Sequence, residues 1–202
     1  MNRSGGNAMS DDLRAAWARL MGGVQRVAPR SAAAVRSPGP WVEPAELPVP
    51  LSEDLRIWFQ LHDGCGQHFH GEVLPFSWPL SLSEAVGQTL MIREIWQSSD
   101  FGQESLAEAG EVAGVTEGVW LDHYVLISSD GSGGGLLVDQ RPGPLHGCVR
   151  WWDKVDADDA SDVVAPSVAE LCDAVAGALT TGAEVGGWVP VPGDGLLEWE
   201  VE

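Results

Sequence analysis

LSEDLRIWFQLHDG, residues 51–64, is the stretch that decides the fold. Ser52 is a favourable N-cap for a helix, and two acidic residues follow it where the helix dipole favours negative charge. Three apolar residues recur at helical spacing and predict one buried face: Leu55, Trp58 and Phe59. His62 continues that face, and Gly64 suits the left-handed residue that ends many helices. The stretch therefore predicts a short amphipathic helix packed on a core.

Three further helices are predicted in addition to this one. The first helix of the chain begins at Ser10 and stops at Pro29, and another helix covers residues 81–98. The apolar arc of the helix over residues 81–98 is Leu82, Ala85, Val86, Leu90, Ile92 and Trp96. The last helix covers residues 167–179 and ends at Gly182, with Ser167 and Glu170 forming a capping box.

Strands are predicted mainly in the middle of the chain. A short strand, interrupted by Pro75, covers residues 73–80, and the acidic stretch 102–118 is predicted as a loop. Three stronger strands follow at residues 119–128, 136–139 and 147–153. Helices, a strand-rich middle and a closing helix indicate one α+β domain.

The predicted domain organisation has three parts. Residues 1–9 form a polar, Gly-rich leader that we expect to be disordered. Residues 10–182 form the domain, and its segment 29–50 is a Pro-rich linker. Residues 183–202 form a tail that adds a possible edge strand. The apolar stretches are too short to span a bilayer, and the leader lacks the apolar core of a secretory signal, so the expected location is the cytoplasm.

The formal net charge is −19. Such a surface repels phosphate groups, so neither nucleic acid nor an anionic membrane is the expected partner. A basic protein partner is favoured, because opposite charges steer encounter. The alternative is that the acidic residues only aid solubility.

Two motifs resemble a phosphate-binding loop and a metal site, but the residues around them do not favour either function. The run SSDGSGGG at residues 128–135 resembles a phosphate loop, but neither a Lys nor a helix follows it, so a hairpin turn is the better interpretation. His62, His68 and His70 lie close in sequence to Cys65, yet their spacing matches no closed metal site. We therefore expect no metal and no cofactor.

The cysteines do not form a recognisable catalytic or disulfide pattern. Cys65, Cys148 and Cys172 are odd in number and far apart, so neither a disulfide framework nor a zinc ribbon is predicted. A Cys65–His68 pair is conceivable as a nucleophile, but each Cys has an apolar or Gly-flanked setting. We therefore expect no catalytic residues and no enzyme.

A binding surface is predicted where two tryptophans precede an acidic loop. Trp151 and Trp152 lie on one strand and must point to opposite faces, so one is core and the other is either covered or exposed as an anchor. Asp156, Asp158 and Asp159 would supply exposed charge directly after them. The competing hypothesis is that this loop is only a solvated turn and that the interface lies elsewhere, for example around Trp78 or the Pro-rich linker.

Four stretches in order resemble the SUKH superfamily, which contains the fungal Smi/Knr cell-wall-assembly regulators and many bacterial relatives. They are residues 51–64, 127–139 (ISSDGSGGGLLVD), 141–149 (RPGPLHGCV) and 165–171 (APSVAEL). The sequence departs from the family pattern at Ser52, where Pro is usual, and at Val168, where Phe or Leu is usual. Neither change would disturb a core.

The resemblance implies an α+β fold, with a mixed or mostly antiparallel sheet flanked by helices. It also implies a protein-binding scaffold without catalytic residues. Many bacterial members look like immunity proteins that block a toxin, often a nuclease, and a nuclease must be basic to hold nucleic acid. Two alternatives remain open: a housekeeping regulator or adaptor without a toxin, and a small metal-dependent hydrolase that uses the His62–His70 cluster. The oligomeric state is not predicted.

Overall fold

The computed structural model describes residues 4–66, 72–158 and 163–201. The helices of these ranges are α1 Ser4–Val27, α2 Pro29–Ala34, α3 Glu53–Leu61, α4 Leu82–Ser98, α5 Asp100–Glu108 and α6 Val168–Thr181. The strands are β1 Trp78–Pro79, β2 Tyr124–Leu126, β3 Ser128–Ser129, β4 Gly135–Asp139, β5 Cys148–Trp152, β6 Val163–Ala165, β7 Trp188–Gly193 and β8 Leu196–Val201. No helix within the described ranges is long and apolar enough to cross a membrane.

The main sheet has four antiparallel strands in the order β2-β4-β5-β6. All five residues of the central strand β4 are buried, because neighbouring elements cover both of its faces. Strand β6 was not predicted, and it pairs with β5 across an irregular register. Strands β1 and β3 form a short antiparallel pair, and β7 and β8 form a separate hairpin. Together with the helices, these sheets confirm the predicted α+β fold.

Helix α1 is the centre of the helical layer. It packs against α2, α3 and α6, while α4 packs against β2 and α5. The fully buried residues of α1 recur at helical spacing: Leu13, Ala16, Leu20 and Val24. They join the apolar face predicted for α3 in one continuous core. The fold therefore rests on the amphipathic faces of α1, α3 and α6, which share one core with the main sheet.

The helix caps explain why the predicted boundaries of α3, α4 and α6 are confirmed. The Ser52 hydroxyl accepts a hydrogen bond from the amide of Leu55. Ser81 and Glu84 form a complete capping box on α4, with side-chain to backbone distances of 3.2 and 2.8 Å. Ser167 caps α6, and Gly182 ends it with a φ of 72°, where a residue without a Cβ is not strained.

Three segments that the sequence predicts as irregular contain helical residues, so these predictions are wrong in part. Helix α1 extends back to Ser4, so Ser10 is not its cap, and the predicted leader is helical from Ser4 onward. The linker contains α2, with Pro29 in its first turn, where a missing N–H costs no hydrogen bond. The predicted loop 102–118 contains most of α5, whose N-cap is Ser99.

The tail forms its own hairpin rather than an added edge strand. Its turn places Asp194 and Gly195 at φ values of 52° and 78°, which match the tight turns of antiparallel hairpins. Pro190 and Pro192 lack the N–H groups that pairing to another strand would need. The hairpin is fastened to the body where the Ser31 hydroxyl accepts from the Leu197 amide at 2.9 Å and the Glu72 carbonyl accepts from the Trp199 indole at 2.8 Å.

His62 lies in the core at the end of α3. Its ring centroid is 4.9 Å from that of Trp17 and 4.5 Å from that of Trp58. The Gly64 amide donates to Nδ1 at 3.1 Å, so the neutral imidazole carries its proton on Nε2. Burial lowers the pKa of His62 to about 3. The imidazole is therefore a neutral core residue at physiological pH.

We predict that His62 makes the protein less stable in mild acid. The unfolded imidazole has a pKa of about 6.5, so the unfolded chain binds one more proton than the folded chain below that pH. The free energy of unfolding should be unaffected by His62 above about pH 6.5 and should fall by up to about 1.4 kcal/mol per pH unit below it. Urea denaturation between about pH 7 and about pH 5 measures this slope.

His62→Gln should flatten the slope in this range, whereas His123→Gln, at a half-buried position, should retain it. A wild-type slope that survives His62→Gln unchanged would contradict the assignment.

Candidate functional site

The two predicted anchor tryptophans have different environments. Trp152 is buried, and its ring lies edge-on to Trp120 at 4.8 Å and to Trp96 at 5.9 Å. Trp151 points to the other face of β5 and is half-buried. The predicted alternation is therefore confirmed, and Trp152 is wrong as a contact residue because it belongs to the core.

The aspartates of the predicted acidic loop also differ from one another in exposure. Asp156 is exposed, as expected, and Asp159 lies outside the described residues. Asp158 is fully buried, so its assignment to an exposed binding loop is wrong. Its carboxylate is 2.7 Å from the Arg150 guanidinium, which is itself fully buried in β5. A buried guanidinium requires a paired anion, and that requirement draws Asp158 inward.

Further donors surround the Asp158 carboxylate. It accepts from the Gly118 amide at 2.7 Å, from the Glu117 amide at 3.3 Å and from the Tyr124 hydroxyl at 2.8 Å. Burial raises the pKa of Tyr124, and the charge of Asp158 raises it further. Tyr124 therefore remains a neutral hydrogen-bond donor in this cluster.

A second buried arginine continues the network. Arg141 bonds to the carboxylates of Asp139 at 2.8 Å and Glu117 at 2.7 Å, and to the carbonyl of Val115 at 2.6 Å. Burial alone would lower the pKa of Arg141, but the hydrogen bonds to Asp139 and Glu117 hold it raised. We call the joined groups the buried ion network: Glu117, Tyr124, Asp139, Arg141, Arg150 and Asp158. It fastens the segment 110–118 to the main sheet.

Sequence reasoning missed this network. After Phe101 the only basic residues are Arg141, Arg150 and Lys154, and the two arginines lie in or beside a strand of apolar residues. An arginine among buried strand residues was the available signal, because such a residue is rarely buried unless it is paired.

A cluster of three aromatic rings lies on the other side of β5, and we call it the aromatic platform: Phe76, Trp151 and Trp188. Phe76 and Trp188 are stacked, with centroids 4.4 Å apart and planes 4° apart. Trp151 lies 6.4 Å from Phe76 and 6.3 Å from Trp188. Phe76 remains 38% exposed, and both tryptophans are half-buried. A partly exposed aromatic cluster of this kind is typical of contact surfaces.

Two carboxylates lie close enough to Glu72 to act on its charge, and we call the three residues the acidic flank: Glu72, Asp130 and Glu198. The pKa of Glu72 is raised by its partial burial and then by the charges of Glu198 and Asp130. The charges of Glu198 and Asp130 therefore make a local negative field at Glu72, which favours an approaching cation.

An apolar groove of about 220 Å³ lies between α4 and the 130–135 hairpin. Met91 and Ile95 line it and are more than half exposed. Within the apolar arc predicted for α4 only Ala85 is fully buried, so that arc is only partly turned inward. The wall opposite them includes Trp152 and Lys154.

The phosphate-loop interpretation of residues 128–135 is excluded by the contacts in that loop. The Asp130 carboxylate accepts from the amides of Ser132, Gly133 and Gly134 at 2.7, 3.1 and 2.9 Å. These are the backbone groups that would otherwise hold an anion. The loop is a hairpin turn between β3 and β4.

The histidines and cysteines do not form a cluster in the described part of the chain. His62 lies in the core, whereas His68 and His70 lie outside the described residues. No group of three or more metal-ligating side chains converges among the described residues. Burial raises the pKa of Cys148 to about 11 and of Cys172 to about 12, so both thiols are protonated at neutral pH.

We predict that Asp158→Asn and Asp156→Asn, two identical chemical changes in one loop, differ sharply in stability. Asp158→Asn leaves Arg150 buried without its counter-charge and should lower the free energy of unfolding by about 3–5 kcal/mol. Asp156→Asn should change it by less than about 0.5 kcal/mol, because water solvates that carboxylate. Urea denaturation of both variants measures the difference, and similar effects would show that Asp158 does not stabilise the fold.

Comparison with known sequences agrees with this architecture. No curated protein matches the chain significantly. The sequence pattern of the SMI1 / KNR4 family (SUKH-1) matches residues 44–174, which is more than half of the chain. The match runs from the approach to α3 through the main sheet and into α6, and it includes the whole buried ion network. The chain therefore belongs to the SMI1 / KNR4 family (SUKH-1).

Proposed function

We propose that this protein is a non-enzymatic binding module, and that it acts in the cytoplasm as an immunity protein that neutralises a basic, nuclease-type toxin. The observation that carries the proposal is a partly exposed aromatic platform on a chain with a net charge of −19. Aromatic residues supply the desolvated centre of an interface, and charge supplies steering toward a basic partner.

The arrangement of the ionisable groups supports binding rather than catalysis. The buried carboxylates Asp139 and Asp158 are each paired with an arginine and with backbone or hydroxyl donors. Such pairs hold a fold together, whereas a catalytic acid or base must be able to reach a substrate. In this proposal the buried ion network therefore stabilises the fold.

Family membership supports the toxin hypothesis only in part. An acidic inhibitor suits a nuclease, because the active surface of a nuclease must be basic to hold nucleic acid. A housekeeping adaptor of the Smi/Knr type would use the same surface for a different basic protein. The identity of the partner and the position of its gene separate the two.

Affinity capture from the native cell, followed by mass spectrometry, tests the proposal. We expect one stoichiometric partner with a strongly basic domain, encoded beside this gene. The association rate of the purified pair should fall by about tenfold or more as salt rises from about 50 to about 500 mM, since steering is screened. An unrelated acidic protein of similar charge is the control bait.

Three outcomes contradict the proposal in different ways. A basic partner encoded elsewhere and without toxicity would favour the adaptor. A partner that also binds the control bait would reduce the acidic surface to a solubility feature. Catalytic turnover of a small molecule by the purified protein would overturn the non-enzymatic assignment.

A further inference from the structure

We propose that the apolar groove between α4 and the 130–135 hairpin binds a small organic acid, with the apolar body of the ligand along α4 and its carboxylate on Lys154. The ligand class is a free molecule with one apolar body and one carboxylate. The proposal goes beyond the proposed function and does not depend on it.

The lining of the groove is the first observation. It is mainly apolar, and it consists in large part of Met91, Ile92, Ile95, Trp96, Leu126 and Trp152. Met91 and Ile95 lie about one helical turn apart on α4, and they are 54% and 58% exposed. Apolar surface left in water is unfavourable, so an apolar ligand that covered these two side chains would gain free energy.

The size of the groove decides what kind of ligand fits. Its volume is about 220 Å³. An apolar cavity of roughly 150 Å³ holds benzene, and pockets for drug-sized ligands begin at roughly 300 Å³. A stable protein interface is far larger, because it covers about 800 Å² on each partner. The groove therefore suits a molecule somewhat larger than benzene rather than a segment of another protein.

The charge of Lys154 is the second observation. It is the one lysine among the eleven basic residues of the chain, and it lines the groove. Its ammonium donates to the carbonyl of Ser132 and forms no ion pair with a carboxylate of the described residues. The exposed arginines Arg19, Arg56 and Arg93 each pair with a carboxylate. Lys154 therefore retains donors for an anion from outside.

The 130–135 hairpin fixes the position of that ammonium. Gly133 has a φ of 109°, and a Cβ at this residue would lie 2.7 Å from Cδ of Lys154. Only a residue without a Cβ lets the lysine stem lie across the hairpin here. The Asp130 carboxylate is held by the amides of Ser132, Gly133 and Gly134 and by the Ser132 hydroxyl, so it is already satisfied within its own turn.

The apolar lining and the single cation together define the ligand. An apolar body fits the α4 side of the groove, and one carboxylate matches the one ammonium at the hairpin side. The net charge of −19 repels anions in general. A preference of this protein for an anionic ligand over its neutral analogue would therefore have to arise at a local site.

Titration with simple amphipathic molecules tests the site directly. The probes are octanoate, hexanoate and octanol, each below the concentration at which it aggregates. Trp96 and Trp152 line the groove, so intrinsic fluorescence reports binding there. Octanoate should bind saturably and about fivefold more tightly than octanol, which lacks the charge. Hexanoate should bind about tenfold more weakly than octanoate, because it buries two fewer methylene groups.

Variants of the protein locate that binding. Lys154→Gln should weaken octanoate to about the level of octanol and leave octanol unchanged, whereas Lys154→Arg should retain the preference for octanoate. Ile95→Ser should weaken both ligands by a similar factor of about fivefold, because it removes apolar surface and no charge. Arg26→Gln removes a positive charge from an exposed position on α1, outside the groove, and it is the matched control that should change neither affinity.

Equal affinities of the wild type for octanoate and octanol would overturn the proposal, as would an octanoate affinity that survives Lys154→Gln unchanged. Binding that does not saturate would show adventitious association only and would also overturn it. A dimer in sedimentation velocity that Ile95→Ser dissociates would assign the groove to a second copy of the chain instead. None of these results affects the capture experiment, so the proposed function stands or fails separately.

Discussion

Arg150 carries a full positive charge inside the main sheet, and the structure around it is arranged to neutralise that charge. A guanidinium removed from water is unfavourable unless a carboxylate and further acceptors surround it. Asp158 supplies the carboxylate at 2.7 Å. The Val115 carbonyl, the Thr116 hydroxyl and the Asp158 carbonyl accept further hydrogen bonds from the Arg150 guanidinium. Arg141 repeats the arrangement with Asp139 and Glu117. Two otherwise irregular segments, 110–118 and 153–158, are thereby fixed against the sheet.

This constraint separates two classes of acidic residue in one acidic chain. Asp139 and Asp158 have internal partners and are not accessible to another protein. The exposed carboxylates, such as Asp156 and Glu198, supply the external field. The formal charge of −19 therefore overstates the negative charge that a partner contacts at any one place. The position of the aromatic platform indicates the location of a binding surface better than the net charge does.

The sequence predicted the elements whose signals are local. Ser52 and Ser167 cap α3 and α6 as expected, because a cap and the amide it bonds lie within four residues of each other. Helix α5 was missed because most of its residues are small, polar or acidic. The burial of Asp158 was missed because its neighbours resemble a solvated loop. Its partners Tyr124 and Gly118 are 34 and 40 residues away, so only the tertiary fold reveals the pairing.

The aromatic platform was unpredictable for the same reason. Trp151 was identified from alternation along β5, but Phe76 and Trp188 meet it from a turn and from the tail hairpin. The position of that hairpin depends on contacts such as Ser31 with Leu197, which are separated by 166 residues.

Amide hydrogen exchange of the free protein and of its complex with the captured partner tests the division between structural and binding acids most directly. The amides of Glu117 and Gly118, which donate to the buried Asp158, should exchange slowly in both states. New protection in the complex should appear at the Leu74–Ser77 turn and in β7, beside the aromatic platform. Fast exchange at Glu117 and Gly118 in the free protein, with new protection confined to residues 153–158, would contradict the account.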